Sequence, residues 1–286
     1  MQSFKSYLPT LWIVLGFLII SVLFCYPAID GKVLYQHDNI SWKSMAHEGM
    51  QWHEKTGEQV LWSNSMFGGM PTYTYYVAKS NNHTAVIQTA LTSVLSKPIY
   101  FFFFAMLCFF ILMQTLGINK WLGAIGSIAF AFSAYNPQII AAGHETKMLS
   151  IAYLPLLLSG FLLIYRGVYK WGIPAFLIAM ALLFANAHFQ IIYYAFIVLG
   201  IGVVGVLVQA VKEKTLASFV KGSLLILGLT LVTILPNLGA ILATKEYTKF
   251  TMRGGESELT TAHDKGKKNG GLDKDYAFMW SNGIGE

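Results

Sequence analysis

IYFFFFAMLCFFILMQTL, residues 99–116, is the stretch that decides how this chain is built: eighteen residues in a row carry no charged side chain. At 1.5 Å per residue, a helix of that length reaches about 27 Å, close to the ~30 Å hydrocarbon thickness of a bilayer. Working outward, six further runs of the same kind lie at 8–28, 122–142, 148–165, 171–187, 189–211 and 222–243. The first has a single lysine before it and an apolar core longer than a signal-peptide h-region, with no A-x-A site after it, and so reads as an uncleaved span. The expected fold is an all-α polytopic membrane protein with about seven transmembrane helices, connected mostly by short loops.

Composition agrees with the runs. The chain has 286 residues, of which 55% are hydrophobic, 15% aromatic and 12% charged, about half the charge density of a soluble domain. Its net charge of +6 fits basic loops facing anionic headgroups, so nucleic acid is not an expected partner. The two cysteines, Cys25 and Cys108, both fall inside apolar runs, where they act as small hydrophobes and signal neither a disulfide nor a zinc site.

Two long polar segments interrupt the pattern, at 29–97 and 244–286. Lys5, Lys120, Arg166, Lys170, Lys212, Lys214 and Lys221 fall on one side of the seven-span arrangement, which the positive-inside rule makes cytoplasmic. Both long segments then lie outside. So do all seven histidines and every acidic residue except Glu213. Within the spans no Asp, Glu, Lys or Arg sits away from the ends, which disfavours proton-coupled transport through this part of the chain. The expected domains are a transmembrane region at 1–243, carrying the extracytoplasmic loop 29–97, and a tail at 244–286 that reads as the start of a continuing region.

Candidate chemistry concentrates in the external segments. Asp38 lies about ten residues beyond the first span, beside His37 and Asn39, and reads either as a helix N-cap or as a carboxylate tuned for acid–base work. Trp42, Met45, Gly49 and Trp52 share one face of the helix expected to follow. His47, Glu48 and His53 lie on the same helix as substrate contacts or as a solvated face, without a standard metal spacing. Residues 62–76, rich in Gly, Met, Pro and aromatics, read as a compact surface loop suited to sugar rings, lipid headgroups or the interfacial aromatic belt. Residues 84–97 repeat apolar positions at helical spacing, as an interfacial amphipathic helix does. In AAGHETK, Gly143 reads as a helix C-cap, and His144 or Lys147 as a ligand for an anionic group or as partners of a helix end. His188 and Gln190 occupy the next external turn, and Arg253 in RGGESE reads as a phosphate grip or a snorkelling interfacial arginine.

With these residues in place, the chain resembles the YfhO-type bacterial membrane proteins and, more distantly, the GT-C class of integral membrane glycosyltransferases. The likeness rests on YQHDNISW around Asp38, FGGMPTY, GHETK, HFQIIYY and RGGESEL. It implies a GT-C-like fold in the bacterial cytoplasmic membrane, with the amino terminus in the cytoplasm and a long first extracytoplasmic loop. It also implies transfer of a sugar from a polyprenyl-phosphate carrier to a cell-envelope polymer or protein. Carried onto this chain, Asp38 becomes the base, while Arg253 with Lys147 or His144 holds the carrier phosphate. HDN replaces the paired acids of some class members, so no metal requirement follows. The alternative expectation is a transporter or flippase for an envelope lipid intermediate, with the outer clusters forming its vestibule.

Overall fold

The computed structural model describes residues 7–76, 83–251 and 278–279. Helix α1 (Leu8–Phe24) opens with a proline in its first turn, where the missing N–H costs nothing, and gives way to a 3-10 turn at Tyr26–Ala28. Helix α2 (His37–Thr56) starts one residue before Asp38 and stops at Gly57, whose φ of +75° lets its N–H return to the His53 carbonyl. Asp38 is therefore in the first turn and does not occupy the cap position. That position belongs to Gln36, whose side chain makes no capping bond.

The compact loop expected at 62–76 contains a small antiparallel ladder, β1 (Trp62–Ser63) and β2 (Met70–Pro71), with Trp62 opposite Pro71 and Ser63 opposite Met70. A 3-10 turn at Thr72–Thr74 follows it. Trp42 on α2 donates its indole N–H to the Tyr75 carbonyl, and the Tyr76 ring lies so close over Gly49 that a Cβ there would come within 3.2 Å of it. These contacts dock the ladder onto α2. Helix α3 (His83–Ser93) turns Leu91 toward the core and leaves Val86 and Ile87 exposed, the two-sided pattern expected of an interfacial helix.

The remaining helices are α4 (Ile99–Thr115), α5 (Lys120–Ala131), α6 (Tyr135–Ala142), α7 (Glu145–Tyr165), α8 (Tyr169–Asn186), α9 (Phe189–Lys212), α10 (Leu216–Ile234) and, after a 3-10 turn at Leu235–Asn237, α11 (Leu238–Thr248). The run at 122–142, expected as one span, is two helices. Pro137 cannot continue the hydrogen-bond ladder, and Asn136 donates to the freed carbonyls of Phe130 and Ala131 at 2.9 and 3.2 Å.

Among the described residues, four helical stretches are long and apolar enough to cross a membrane: Glu145–Tyr165, Tyr169–Asn186, Phe189–Lys212 and Leu216–Thr248. Helices α1, α4 and α5 are apolar but shorter. The protein is a helical, membrane-embedded protein. Leucine, isoleucine and valine side chains on the outer faces of α9 and α10, such as Ile201 and Leu224, are exposed in the way a lipid-facing surface requires.

The core lies among α1, α4, α5, α7 and α8. Helices α7 and α8 meet through small residues: a Cβ on Gly160 would fall 2.3 Å from the Phe176 backbone nitrogen, and one on Gly172 would fall 2.8 Å from that of Ile164. Lipid supplies no hydrophobic drive between helices, so this close approach and its dispersion contacts hold the pair together. Aromatic rings fill the α1–α4–α5 side, with Phe102 stacked on Phe132 at 4.8 Å and Phe17 edge-on to Phe110 at 5.7 Å. At one end of the bundle Arg166 bonds the Thr115 carbonyl and Tyr165 meets Ser223 at 2.8 Å. The opposite end carries α2, α3 and the α6–α7 turn. Contacts divide the chain into 1–237 and 238–286; the second unit contains α11, with Lys245 in its last turn.

Candidate functional site

The α6–α7 turn is built to approach α2. Gly143 ends α6 with φ +105° and donates its N–H to the carbonyls of Ile139 and Ile140, as the sequence led us to expect of a C-cap glycine. Its bare α-carbon faces the start of α2: a Cβ would stand 3.2 Å from both the Asn39 nitrogen and the Asp38 Cβ, and 3.4 Å from the Gln36 Cβ. The next residue, His144, therefore meets Asp38, with Nε2 2.6 Å from Oδ2. His37 approaches the other carboxylate oxygen at 3.7 Å. The Asp38 and His144 side chains keep 51% and 44% of their surface in solvent, so the pair is accessible to a substrate.

Beneath this pair runs a second line of contacts. Gln36 donates to the Ile140 carbonyl at 2.6 Å, and Asn39 donates to Gln36 Oε1 at 2.6 Å and to Glu145 Oε1 at 2.8 Å. Glu145 pairs through its other oxygen with Lys97. The α2 start, the α6–α7 turn and the segment before α4 are thus tied at one place, and the acidic residue in the first turn of α7 also suits that helix end. These groups line an open cleft of about 850 Å³. It shares Val33 and Leu34 with an apolar groove of about 220 Å³ walled by Phe24, Phe102, Pro137 and Ile140, with Lys32 beside it.

His188 precedes α9 and is half-buried, and its Nδ1 has no partner outside its own residue among the described residues. Burial holds its imidazole below the usual pKa, against a hydrogen bond to its own backbone, and the positive charges of Lys147 and His144 push it lower still. Two residues before it, Asn186 donates to Gln88 Oε1 at 3.4 Å, as Tyr153 does at 3.2 Å. Lys147 lies over the Tyr135 ring, 5.1 Å from its centre. Gln190 turns away to donate to the Tyr194 hydroxyl at 2.9 Å.

The candidates named from sequence thus separate. Asp38, His37 and His144 converge, and His188 is within electrostatic reach of His144 and Lys147. Glu48 lies in a different cleft and accepts from Ser65 at 3.0 Å. Arg253 lies outside the described residues. Sequence reasoning missed Gln36 and Lys97. A partly buried carboxylate in a helix first turn favours a cation beside it, and the lysine at the end of the long polar loop was the signal for Lys97. Among the described residues no three His, Cys, Asp or Glu side chains come together as a metal site would need. The chain matches no protein-family model, and no curated protein or solved structure shows significant similarity to it.

Proposed function

We propose that this protein is an integral membrane glycosyltransferase of the GT-C kind, moving a sugar from a polyprenyl-phosphate carrier to a cell-envelope acceptor. The observation that carries the reading is the Asp38–His144 contact at 2.6 Å on the lip of an open polar cleft that runs into an apolar groove. A carboxylate so placed takes the proton from an acceptor hydroxyl as the hydroxyl oxygen attacks the sugar's anomeric carbon. The bond from that carbon to the carrier phosphate breaks, and the phosphate leaves with the electron pair. Lys97, at the cleft wall beside Glu145, offers positive charge to the departing phosphate, and His144 holds the Asp38 carboxylate in line. The apolar groove suits the first isoprenoid units of the carrier. With seven spans and the basic ends of α5, α7, α8, α9 and α10 in the cytoplasm, the cleft faces outward from the cytoplasmic membrane.

Transport of an envelope lipid intermediate is the rival reading. Against a proton-coupled form of it, the described apolar helices carry no Asp, Glu, Lys or Arg in their central turns. The test is purified protein in proteoliposomes supplied with polyprenyl-phosphate hexoses and envelope polymer, with release of polyprenyl phosphate as the readout. Asp38→Asn lowers release by ~10²–10⁴-fold with unchanged membrane insertion; wild-type release from that variant removes Asp38 as the base.

A further inference from the structure

On the same helix as Asp38, further along α2, lies a second cleft of about 650 Å³ between α2 and the β1–β2 ladder. It is lined by two tryptophans, Trp52 and Trp62, together with Glu48, Gln51, Lys55 and Gln59. Both indoles keep about half their surface open, at 50% and 53%. Trp62 is held by the fold: it closes on Gly69, where a Cβ would come within 2.8 Å of the ring, and Gly69 itself has φ +131°. Glu48 is fixed by Ser65, which is itself bonded to Ser63 at 2.9 Å.

Open indole faces beside a carboxylate and two primary amides match one ligand chemistry, the sugar ring. Its C–H-rich face lies against the electron-rich face of an indole, and its equatorial hydroxyls reach the carboxylate and amides at the edge. Tryptophans that anchor a protein in lipid lie on an outward surface, whereas these two line a concavity with polar side chains between them. At 1.5 Å per residue, Glu48 and Trp52 stand ~15 and ~21 Å along the helix from Asp38, and at 100° per residue Asp38, Gly49 and Trp52 fall within about 60° of one another.

We infer that the Trp52–Trp62 cleft is a saccharide subsite, and that the acceptor is therefore a polymer of sugar rings, one ring held there while its reacting end lies at Asp38. The saccharide subsite stands on the cleft alone; the acceptor role rests on the transferase reading. The closing experiment separates the two. The full chain in detergent is titrated with hexasaccharides built from glucose, N-acetylglucosamine or galactose, and with the matching free monosaccharides, by saturation-transfer NMR and calorimetry. A hexasaccharide binds more tightly than its monosaccharide, Trp52→Ala and Gln51→Ala each weaken binding at least tenfold, and Trp52→Tyr recovers most of it. Trp52 is half-exposed, and an unchanged melting temperature in its variants shows that the fold is kept. Lack of binding by every saccharide, or equal binding by wild type and Trp52→Ala, overturns the subsite even if sugar transfer is observed. Binding that persists in a protein without transfer activity removes the transferase reading and keeps the subsite.

Discussion

Replacing Gly143 by alanine tests whether the α6–α7 turn sets the geometry of the Asp38–His144 pair. The backbone there has φ +105° and ψ +9°, outside the regions open to L-residues, and holding alanine in it costs about 1–3 kcal/mol. The new methyl also stands 3.2 Å from the Asn39 nitrogen and the Asp38 Cβ, inside the ~3.5–4.0 Å of an ordinary contact, so the turn must back away from α2 by a few tenths of an ångström. His144, the next residue, moves with it and the 2.6 Å contact to Asp38 opens. For a domain of this size, 1–3 kcal/mol corresponds to a melting temperature lower by roughly 2–12 °C, and misplacement of a catalytic group approaching 1 Å costs on the order of 10²-fold in turnover. Gly57→Ala is the matched control. Its φ is +75°, but nothing lies within 4 Å of the added methyl, so it carries backbone strain without displacing the site. Thermal melts in detergent and donor-turnover assays on both variants are the measurement. Gly143→Ala loses stability and turnover, while Gly57→Ala loses stability alone. Wild-type turnover in Gly143→Ala, or an equal loss in Gly57→Ala, refutes the claim that this glycine sets the pair.

His188 makes stability depend on pH. Its folded pKa lies below the unfolded value of about 6.5, so its contribution is complete above that pH and is lost as the pH falls through the folded pKa. Melts at pH 7.5 and 5.5 therefore differ less for His188→Gln than for wild type, and Lys147→Met moves the His188 titration upward by NMR. Gly160→Val drives a side chain into the Phe176 backbone and costs more than about 3 kcal/mol, read as loss of a monodisperse peak in size-exclusion chromatography.

How much of the site was legible depended on the range of the interaction. Asp38 and His144 were each singled out from local pattern, one for its place after the first apolar run and the other for the glycine before it. Nothing local joined them. The Asn39–Glu145 bond links positions 106 apart, and Gln36 reaches Ile140 across a similar distance. Gln36 looked like an unremarkable polar residue because its role is to satisfy a carbonyl on another helix. The capping role offered for Asp38 failed because α2 begins one residue earlier, at His37, and the cap position falls to Gln36. The break in the run at 122–142 was half visible, since Pro137 marked it, but only the Asn136 bonds to Phe130 and Ala131 make a break there tolerable in an apolar setting.

The sequence by itself determined that this is a helical protein of the membrane, because apolar runs of bilayer length and charge confined to the loops are one-dimensional properties. It also determined that α6 ends at Gly143, because a positive φ needs a residue without a Cβ. The tertiary structure alone decided that the turn after Gly143 docks on α2, that Lys97 answers Glu145, and that two tryptophans ten residues apart in sequence wall a common cleft. Those are outcomes of packing, in which a missing Cβ or a partner's carbonyl matters only once another helix arrives beside it.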